Sequence, residues 1–226
     1  MVKAVLVDYT GTTVMEGGDA LGMTVKLVCE NSDFESPKAF IDYWWRLVRQ
    51  AEAACFAETF RTEDDILHDC ISGLRKSHHL TADVAELERL TKIWWSSPPL
   101  FDDTREFFEK CPYPIYVVSN NGAQYVSAAM QLYDLHPAGI VSGEMARAYK
   151  PHREIFDKAL AMAGCEADEV VHIGDSYNSD IVGAHNAGID RTILVCRKQL
   201  QQYSDTVSVS GLAEALEQIK ARENDI

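Results

Sequence analysis

The stretch MVKAVLVDYTGTTV (residues 1–14) decides how the rest of the chain is read. Ala4, Val5, Leu6 and Val7 form an apolar run without polar interruption, the pattern of a short strand covered on both faces. The run delivers Asp8 into a turn made of Thr10, Gly11 and Thr12. In an open α/β sheet the ligand site lies at the carboxyl ends of the strands. An acid placed there is a candidate for chemistry, and what stands at the other strand ends becomes the question.

Three further runs have the same character: IYVVS at 115–119, EVVHIG at 169–174 and TILVC at 192–196, with a weaker one, GIVSG, at 139–143. Helical patterns follow or separate them at roughly 103–110, 122–133, 152–163 and 179–187, and a last amphipathic helix is expected over 210–222. Alternating strand and helix predicts a doubly wound parallel α/β sheet.

Between the first two strands lie about a hundred residues without a strand signal. Helices are expected over 36–60, 62–76 and 81–95, the last two each opened by a Thr with acids in the first turn. Pro98 and Pro99 stop the last of these and mark the return. The expected division is an α/β core of residues 1–16 and 97–226 carrying a helical insert of residues 17–96.

The chain has 226 residues and a net charge of −14, from 21 Lys plus Arg against 35 Asp plus Glu. Such a surface repels phosphate backbones and anionic lipids, so nucleic-acid and membrane partners are not expected. An anionic substrate then needs a strong local positive site. No apolar run reaches the ~18 residues of a membrane span, and no leader pattern precedes Val5, so a cytoplasmic protein is expected. The six cysteines, at 29, 55, 70, 111, 165 and 196, form no CxxC pair and read as reduced thiols.

The strand ends carry a consistent set. The first ends in Asp8 and the second in Ser119, within VVSNNG. Lys150 follows the weak strand, with Pro151 at a plausible first helical position. The fourth ends in GDSYNSD, which sets Asp175 at the tip and Asp180 five residues on. Asp8, Asp175 and Asp180 bring too much negative charge to one rim unless a cation neutralises it, and oxygen ligands of this kind suit Mg²⁺. Lys150 and the Ser119 hydroxyl then offer donors to a phosphoryl group. A carboxylate facing the phosphorus can serve as nucleophile, giving an aspartyl-phosphate that water cleaves. Taken singly, each of these residues has a bland reading; Asp175 and Asp180 can simply cap a helix.

In this order, DYTGTT, VVSN, YKPHREIF and GDSYNSDIVGAHNAGI resemble the motifs of the haloacid dehalogenase superfamily of hydrolases, most of which are phosphatases. The resemblance covers roughly residues 1–18 and 97–226, and the helical insert sits where that family carries its C1-type cap. It implies that Asp8 is nucleophile and Mg²⁺ ligand, that the Thr10 carbonyl and Asp175 are further ligands, and that Asp180 holds a metal-bound water or orients Lys150. It further implies that Ser119 and Lys150 bind the transferring phosphoryl group, helped by backbone N–H groups around Gly11 and Asn120, with Thr12 steadying the loop. The substrate so implied is a small phosphorylated metabolite.

One position departs from that pattern. Family phosphatases usually have Asp where this chain has Thr10, as acid for the leaving group and then base for water. A Thr hydroxyl is too weak an acid for that work, so a preference for activated acyl or aryl phosphates is expected. Dehalogenases of the family have Tyr there, work without metal and lack the acidic pair of GDSYNSD. P-type ATPases have Thr there and keep a long-lived phosphoenzyme. Phosphonoacetaldehyde hydrolases read similarly to DYTGTT and use a cap lysine, for which Lys26 and Lys38 are the nearest candidates. C–P bond cleavage of that kind, or weakly active phosphate binding, are the alternatives. Elsewhere, Trp44, Trp45, Trp94 and Trp95 read as core of the insert or its contact with the sheet domain, His78 and His79 as solvent-exposed, and His172 as a satisfied buried histidine. Gly17 and Gly18 are hinge candidates.

Overall fold

The computed structural model describes residues 1–221. Six strands make one all-parallel sheet: β1 (Ala4–Val7), β2 (Ile115–Ser119), β3 (Gly139–Ser142), β4 (Val170–Gly174), β5 (Thr192–Val195) and β6 (Val207–Val209). Their order is β3-β2-β1-β4-β5-β6. The chain therefore starts in the middle, runs out to one edge through β2 and β3, and returns to the other side of β1 at β4. That reversal opens a crevice at the carboxyl ends of β1 and β4, where Val7 pairs with Ile173.

The apolar runs lack alternation because both faces are covered. Val5, Val7, Val117 and Ile193 pack on one side with Phe107, Val126 and Leu216. Ala4, Leu6, Val118 and Val141 pack on the other with Ile155 and Phe156. Each such fully buried aliphatic side chain contributes roughly 1.5–3 kcal/mol.

Four helices lie between β1 and β2 in the chain: α1 (Asp19–Glu30), α2 (Pro37–Ala53), α3 (Glu63–Ser77) and α4 (Val84–Ser96). They share a separate apolar cluster that includes Phe40, Trp44, Ile66, Leu74 and Leu87 and reaches the sheet domain at Tyr125 and Tyr149. The remaining helices are α5 (Thr104–Lys110), α6 (Ala123–Leu132), α7 (Gly143–Ala146), α8 (Arg153–Ala163), α9 (Gly183–Asn186) and α10 (Leu212–Ala221). Among the described residues, no helix is long and apolar enough to cross a membrane.

Local chemistry explains most boundaries. Ser36 caps α2 by accepting from the Ala39 N–H at 3.2 Å, with Pro37 in the first turn. Thr62 and Asp65 close a reciprocal capping box on α3. Several expectations change. α2 ends at Ala53 rather than near 60; Ala57–Thr59 is a separate 3₁₀ turn, and its first residue takes a positive φ of 50° that an α-helix does not continue. Thr81 does not open α4; Asp83 caps it, and Thr81 donates to the Asn31 carbonyl. Pro151 precedes α8, whose first residue is Arg153. The expected 179–187 helix is a π-helical turn over Tyr177–Val182 continued by α9, and Ser176 caps it. Neither Asp175 nor Asp180 is the cap. The expected helix to 222 runs to Ala221; residue 222 lies outside the described residues.

Candidate active site

Asp8 leaves β1 with its backbone N–H donating to Ile173 at 2.8 Å, so the end of β4 holds the acid's main chain. The turn that follows is tightly satisfied. Thr13 Oγ1 donates to the Asp8 carbonyl at 2.6 Å, and Thr12 Oγ1 donates to Asp8 Oδ2 at 3.3 Å. Both threonines are wholly buried. Thr12 thus steadies the loop and the carboxylate. Gly11 was expected to lend its N–H to a ligand, but that group donates to the Val14 carbonyl at 2.8 Å. What the position requires is a missing side chain: φ is +88°, and a Cβ there would collide with the Asp175 carboxylate.

Lys150 Nζ lies between two acids, 2.5 Å from Asp8 Oδ1 and 2.7 Å from Asp180 Oδ1. All three side chains are buried. Burial alone would lower the lysine; Asp180 and Asp8 outweigh it and hold the ammonium above its ordinary value. Asp180 also accepts from His172 Nε2 at 3.0 Å and from the Ser176 N–H at 3.0 Å. Burial opposes its charge, but Lys150 and His172 keep it well below the usual carboxylate range. His172 is buried as expected but only half satisfied: one nitrogen is held by Asp180, while its Nδ1 has no partner among the described residues. Asp8 is pushed up to about 6, by burial first, against Lys150. Asp175 stands exposed on the rim, and crowding by protein together with the like charges of Asp8 and Asp180 pushes it well above the ordinary range. Carboxylate oxygens of Asp8, Asp175 and Asp180 come within 4.8 Å of one another.

The β2 loop completes this side. Ser119 is buried, and its Oγ accepts from the Asn121 N–H at 3.0 Å. Asn120 was expected to contribute its backbone; its side chain does other work. Asn120 Oδ1 accepts from the Lys150 backbone N–H at 2.7 Å, and Asn120 Nδ2 donates to Glu52 Oε2 at 2.9 Å. Thr10 Oγ1 donates to Asn121 Oδ1 at 2.9 Å, and Asn121 Nδ2 donates to Glu63 Oε1 at 2.6 Å. The other Glu63 oxygen accepts from the Gly122 N–H at 2.6 Å.

Glu52 and Glu63 come from α2 and α3, and sequence reading passed both over. For Glu63 the sequence shows only an acid in the first turn of its helix. Glu52 had a visible signal: it continues the buried stripe Phe40, Trp44, Val48 at helical spacing, so an acid occupies a core position. Burial pushes Glu52 up to about 7, against Asn120, Lys150 and Arg49. The cleft between the two sides has a volume of about 780 Å³ out to its mouth. Its lining joins Asp8, Thr10, Ser119, Lys150 and Asp175 to Glu52, Arg49 and the tryptophans Trp44, Trp45 and Trp95.

Other expectations resolve away from the cleft. Lys26 and Lys38 are exposed and pair with Glu30 and Asp42. His79 is exposed, but His78 is half-buried, stacked on Phe34 with ring centroids 3.9 Å apart. The six cysteines are free thiols.

Residues 2–188 match the family model described as "Hydrolase: haloacid dehalogenase-like hydrolase". A glyceraldehyde 3-phosphate phosphatase of Methanothermobacter thermautotrophicus is 36% identical over 73 residues, 32% of this chain and 32% of that one. The chain spans about a third of the length of the curated relatives it matches. Among solved structures, the magnesium-bound HAD-hydrolase YfnB of Bacillus subtilis superposes with a TM-score of 0.78 at 20% identity, covering 97% of this chain and 99% of that one. The L-2-haloacid dehalogenase of Xanthobacter autotrophicus does so with a TM-score of 0.79 at 14% identity, covering 97% and 99%. The structures share the fold, and the model match over most of the length makes the chain a member of the haloacid dehalogenase-like hydrolases.

Proposed function

We propose that this hydrolase is a Mg²⁺-dependent phosphatase that removes a phosphoryl group from a small phosphorylated metabolite through an aspartyl-phosphate on Asp8. The observation that carries the reading is the arrangement around Lys150: one buried ammonium touching both Asp8 and Asp180, beside a third carboxylate, Asp175. The donor set is all oxygen, and burial first, with the like charges of its neighbours, raises two of its members, which fits a hard dication. Asp8, Asp175 and the Thr10 carbonyl would hold Mg²⁺, with Asp180 fixing Lys150. Bound there, the ion would neutralise charge on the carboxylates and on the phosphoryl oxygens.

The chain's own residues supply the rest. Lys150 and Thr12 fix the two Asp8 oxygens, so the nucleophile needs no reorientation. Lys150 and Ser119 stand ready to donate to the equatorial phosphoryl oxygens. Trp44, Trp45 and Trp95 line the opposite side of the cleft. C–P cleavage through a Schiff base has less to stand on: the cations that line the cleft are Arg49 and Lys150, and Lys26 and Lys38 are on the outer surface.

The test is trapping. Incubation with acetyl phosphate or an aryl phosphate and Mg²⁺ should label the protein with an acid-stable, hydroxylamine-sensitive phosphoryl group, and Asp8→Asn should abolish it. Wild type that hydrolyses phosphate esters without any label on Asp8, or that turns over only 2-haloacids, would overturn the reading.

A further inference from the structure

The reaction proposed above needs a proton for the departing alkoxide and a base for the attacking water. Thr10 supplies neither, because its hydroxyl already donates to Asn121. Two buried carboxylates reach the cleft from the helical side. Both Glu63 oxygens are taken, by the Gly122 N–H and by Asn121 Nδ2, so Glu63 holds the β2 loop. Glu52 is different. Asn120 holds its Oε2, while Oε1 makes no hydrogen bond among the described residues. The same Asn120 side chain accepts from the backbone of Lys150, whose ammonium touches Asp8. One amide therefore ties the position of Glu52 to that of the nucleophile.

We propose that Glu52 is the acid–base residue of this site, delivered from α2 of the helical insert in place of the acid that Thr10 lacks. The assignment rests on the reading of the chain as a phosphatase acting through Asp8. In the first half-reaction the Asp8 carboxylate bonds to phosphorus, the bond from phosphorus to the ester oxygen breaks, and that oxygen takes the proton of Glu52. In the second, Glu52 as carboxylate takes a proton from water, the water oxygen bonds to phosphorus, and the bond to Asp8 breaks. Inorganic phosphate leaves and Glu52 ends protonated, as it began.

Charge and burial agree with this use. The groups that act on Glu52 are Arg49 on its own helix, Lys150 from the sheet domain, Glu63 from α3, the Cys55 and Cys70 thiols and the Tyr149 phenol. Only two are cations, and burial dominates, so the carboxyl titrates at about 7. An acid–base group works best when its pKa lies near the operating pH, because both forms are then populated. A phosphate dianion in the cleft favours the protonated form further. Glu16 also lines the cleft, but it accepts no hydrogen bond among the described residues that would fix it, and Lys198 and Arg49 both act on its charge.

The experiment compares Glu52→Gln with wild type on an alkyl phosphate (glycerol phosphate) and an aryl phosphate (p-nitrophenyl phosphate). Gln keeps an oxygen for Asn120, so folding is checked by near-UV circular dichroism and is expected intact. The alkyl rate should fall by about 10²–10⁴, the usual worth of general acid–base help, and phosphorylation of Asp8 by the aryl ester should change by less than about tenfold. Wild-type alkyl turnover should decline as pH rises through about 7, and the variant should lose that limb. Phosphoenzyme formed on Asp8 from acetyl phosphate should decay more slowly in the variant. Glu52→Asp should recover part of the alkyl rate. Equal losses on both substrates in the rate of Asp8 phosphorylation, an unchanged pH limb, or the same leaving-group signature from Glu16→Gln instead would overturn the assignment. Absence of any Asp8 label in wild type would remove the phosphatase reading itself, a distinct outcome.

Discussion

Two groups of buried carboxylates face each other across the cleft, and the protein treats them in opposite ways. On the sheet side, Asp180 is fully enclosed yet held well below its ordinary range, because Lys150 and His172 both touch it. On the helical side, Glu52 and Glu63 are also enclosed, but their hydrogen-bond partners are amides: Asn120, Asn121 and the Gly122 N–H. Amides stabilise a carboxylate without cancelling its charge, so burial wins and both acids are pushed up. Buried acids therefore do not form one class. Asp180, touched by both Lys150 and His172, stays charged and positions a lysine, whereas Asp8, touched by Lys150 alone, is still pushed up; amide-held Glu52 is pushed up further, to where it can give a proton away.

The largest effect should come from breaking the paired side. Lys150→Met leaves Asp8 and Asp180 buried beside each other without their cation. Removing one partner of a buried ion pair typically costs about 3–5 kcal/mol. Chemical denaturation at pH 8 without metal should show a loss of that size, and vanadate inhibition should weaken. A loss under about 1 kcal/mol would mean that solvent, and not Lys150, balances these acids.

The amide-held side predicts a gain. The folded protein keeps the Glu52 proton up to about pH 7, against an ordinary value of 4.5. Between those values the native state binds the proton more tightly than the unfolded chain, so wild-type stability falls as pH rises through that window. Glu52→Gln carries no such loss. At pH 8 the variant should be the more stable protein, by up to roughly 3 kcal/mol at 1.36 kcal/mol per pKa unit, and near pH 4 the two should match. A pH-independent difference would break the comparison.

A smaller effect concerns the exposed member of the sheet side. Asp175→Asn removes one charge from the cluster that suits Mg²⁺. Substitutions in the outer shell of metal sites typically cost ~10–100-fold in affinity, and a direct ligand should cost at least as much. Calorimetry showing unchanged Mg²⁺ binding would take Asp175 out of the metal site.

The contrast also marks what the sequence could tell. The sheet side was legible because strand ends in a parallel sheet converge by topology: Asp8, Ser119, Lys150 and Asp175 each follow a strand, and the order of strands brings them to one rim. Glu52 could be seen as an acid on a buried stripe, but neither it nor Glu63 could be placed at the site, because helix–sheet docking, unlike strand order, has no local signature. Among the elements, α1 was missed because Gly22 and the β-branched Thr24 and Val25 weaken its helical signal. β6 was missed because three residues on a sheet edge make too short a pattern. Gly11 was legible as a glycine but not for its reason, since only the fold brings Asp175 against it.

The smallest effect is the one that joins the two sides. Thr10→Asp restores a core carboxylate two residues past Asp8. If Glu52 already supplies the proton, a second acid adds little, and alkyl phosphate turnover should rise by less than about tenfold. In the Glu52→Gln background the same change should matter far more, recovering most of the lost alkyl rate, because it replaces the only missing function. The new side chain meets Asn121 Oδ1, where Thr10 Oγ1 now donates. Asn121 can turn its amide over to offer Nδ2, provided that Glu63 keeps its proton and donates to Oδ1 in turn. The raised Glu63 carboxyl permits that. The pair of measurements is a double-mutant cycle across the cleft. Strong coupling, with a small single effect and a large rescue, supports two interchangeable acids serving one step. Independent effects, or a large gain from Thr10→Asp in an otherwise wild-type chain, would show that the helical side supplies no proton and that its carboxylates serve only to hold the β2 loop.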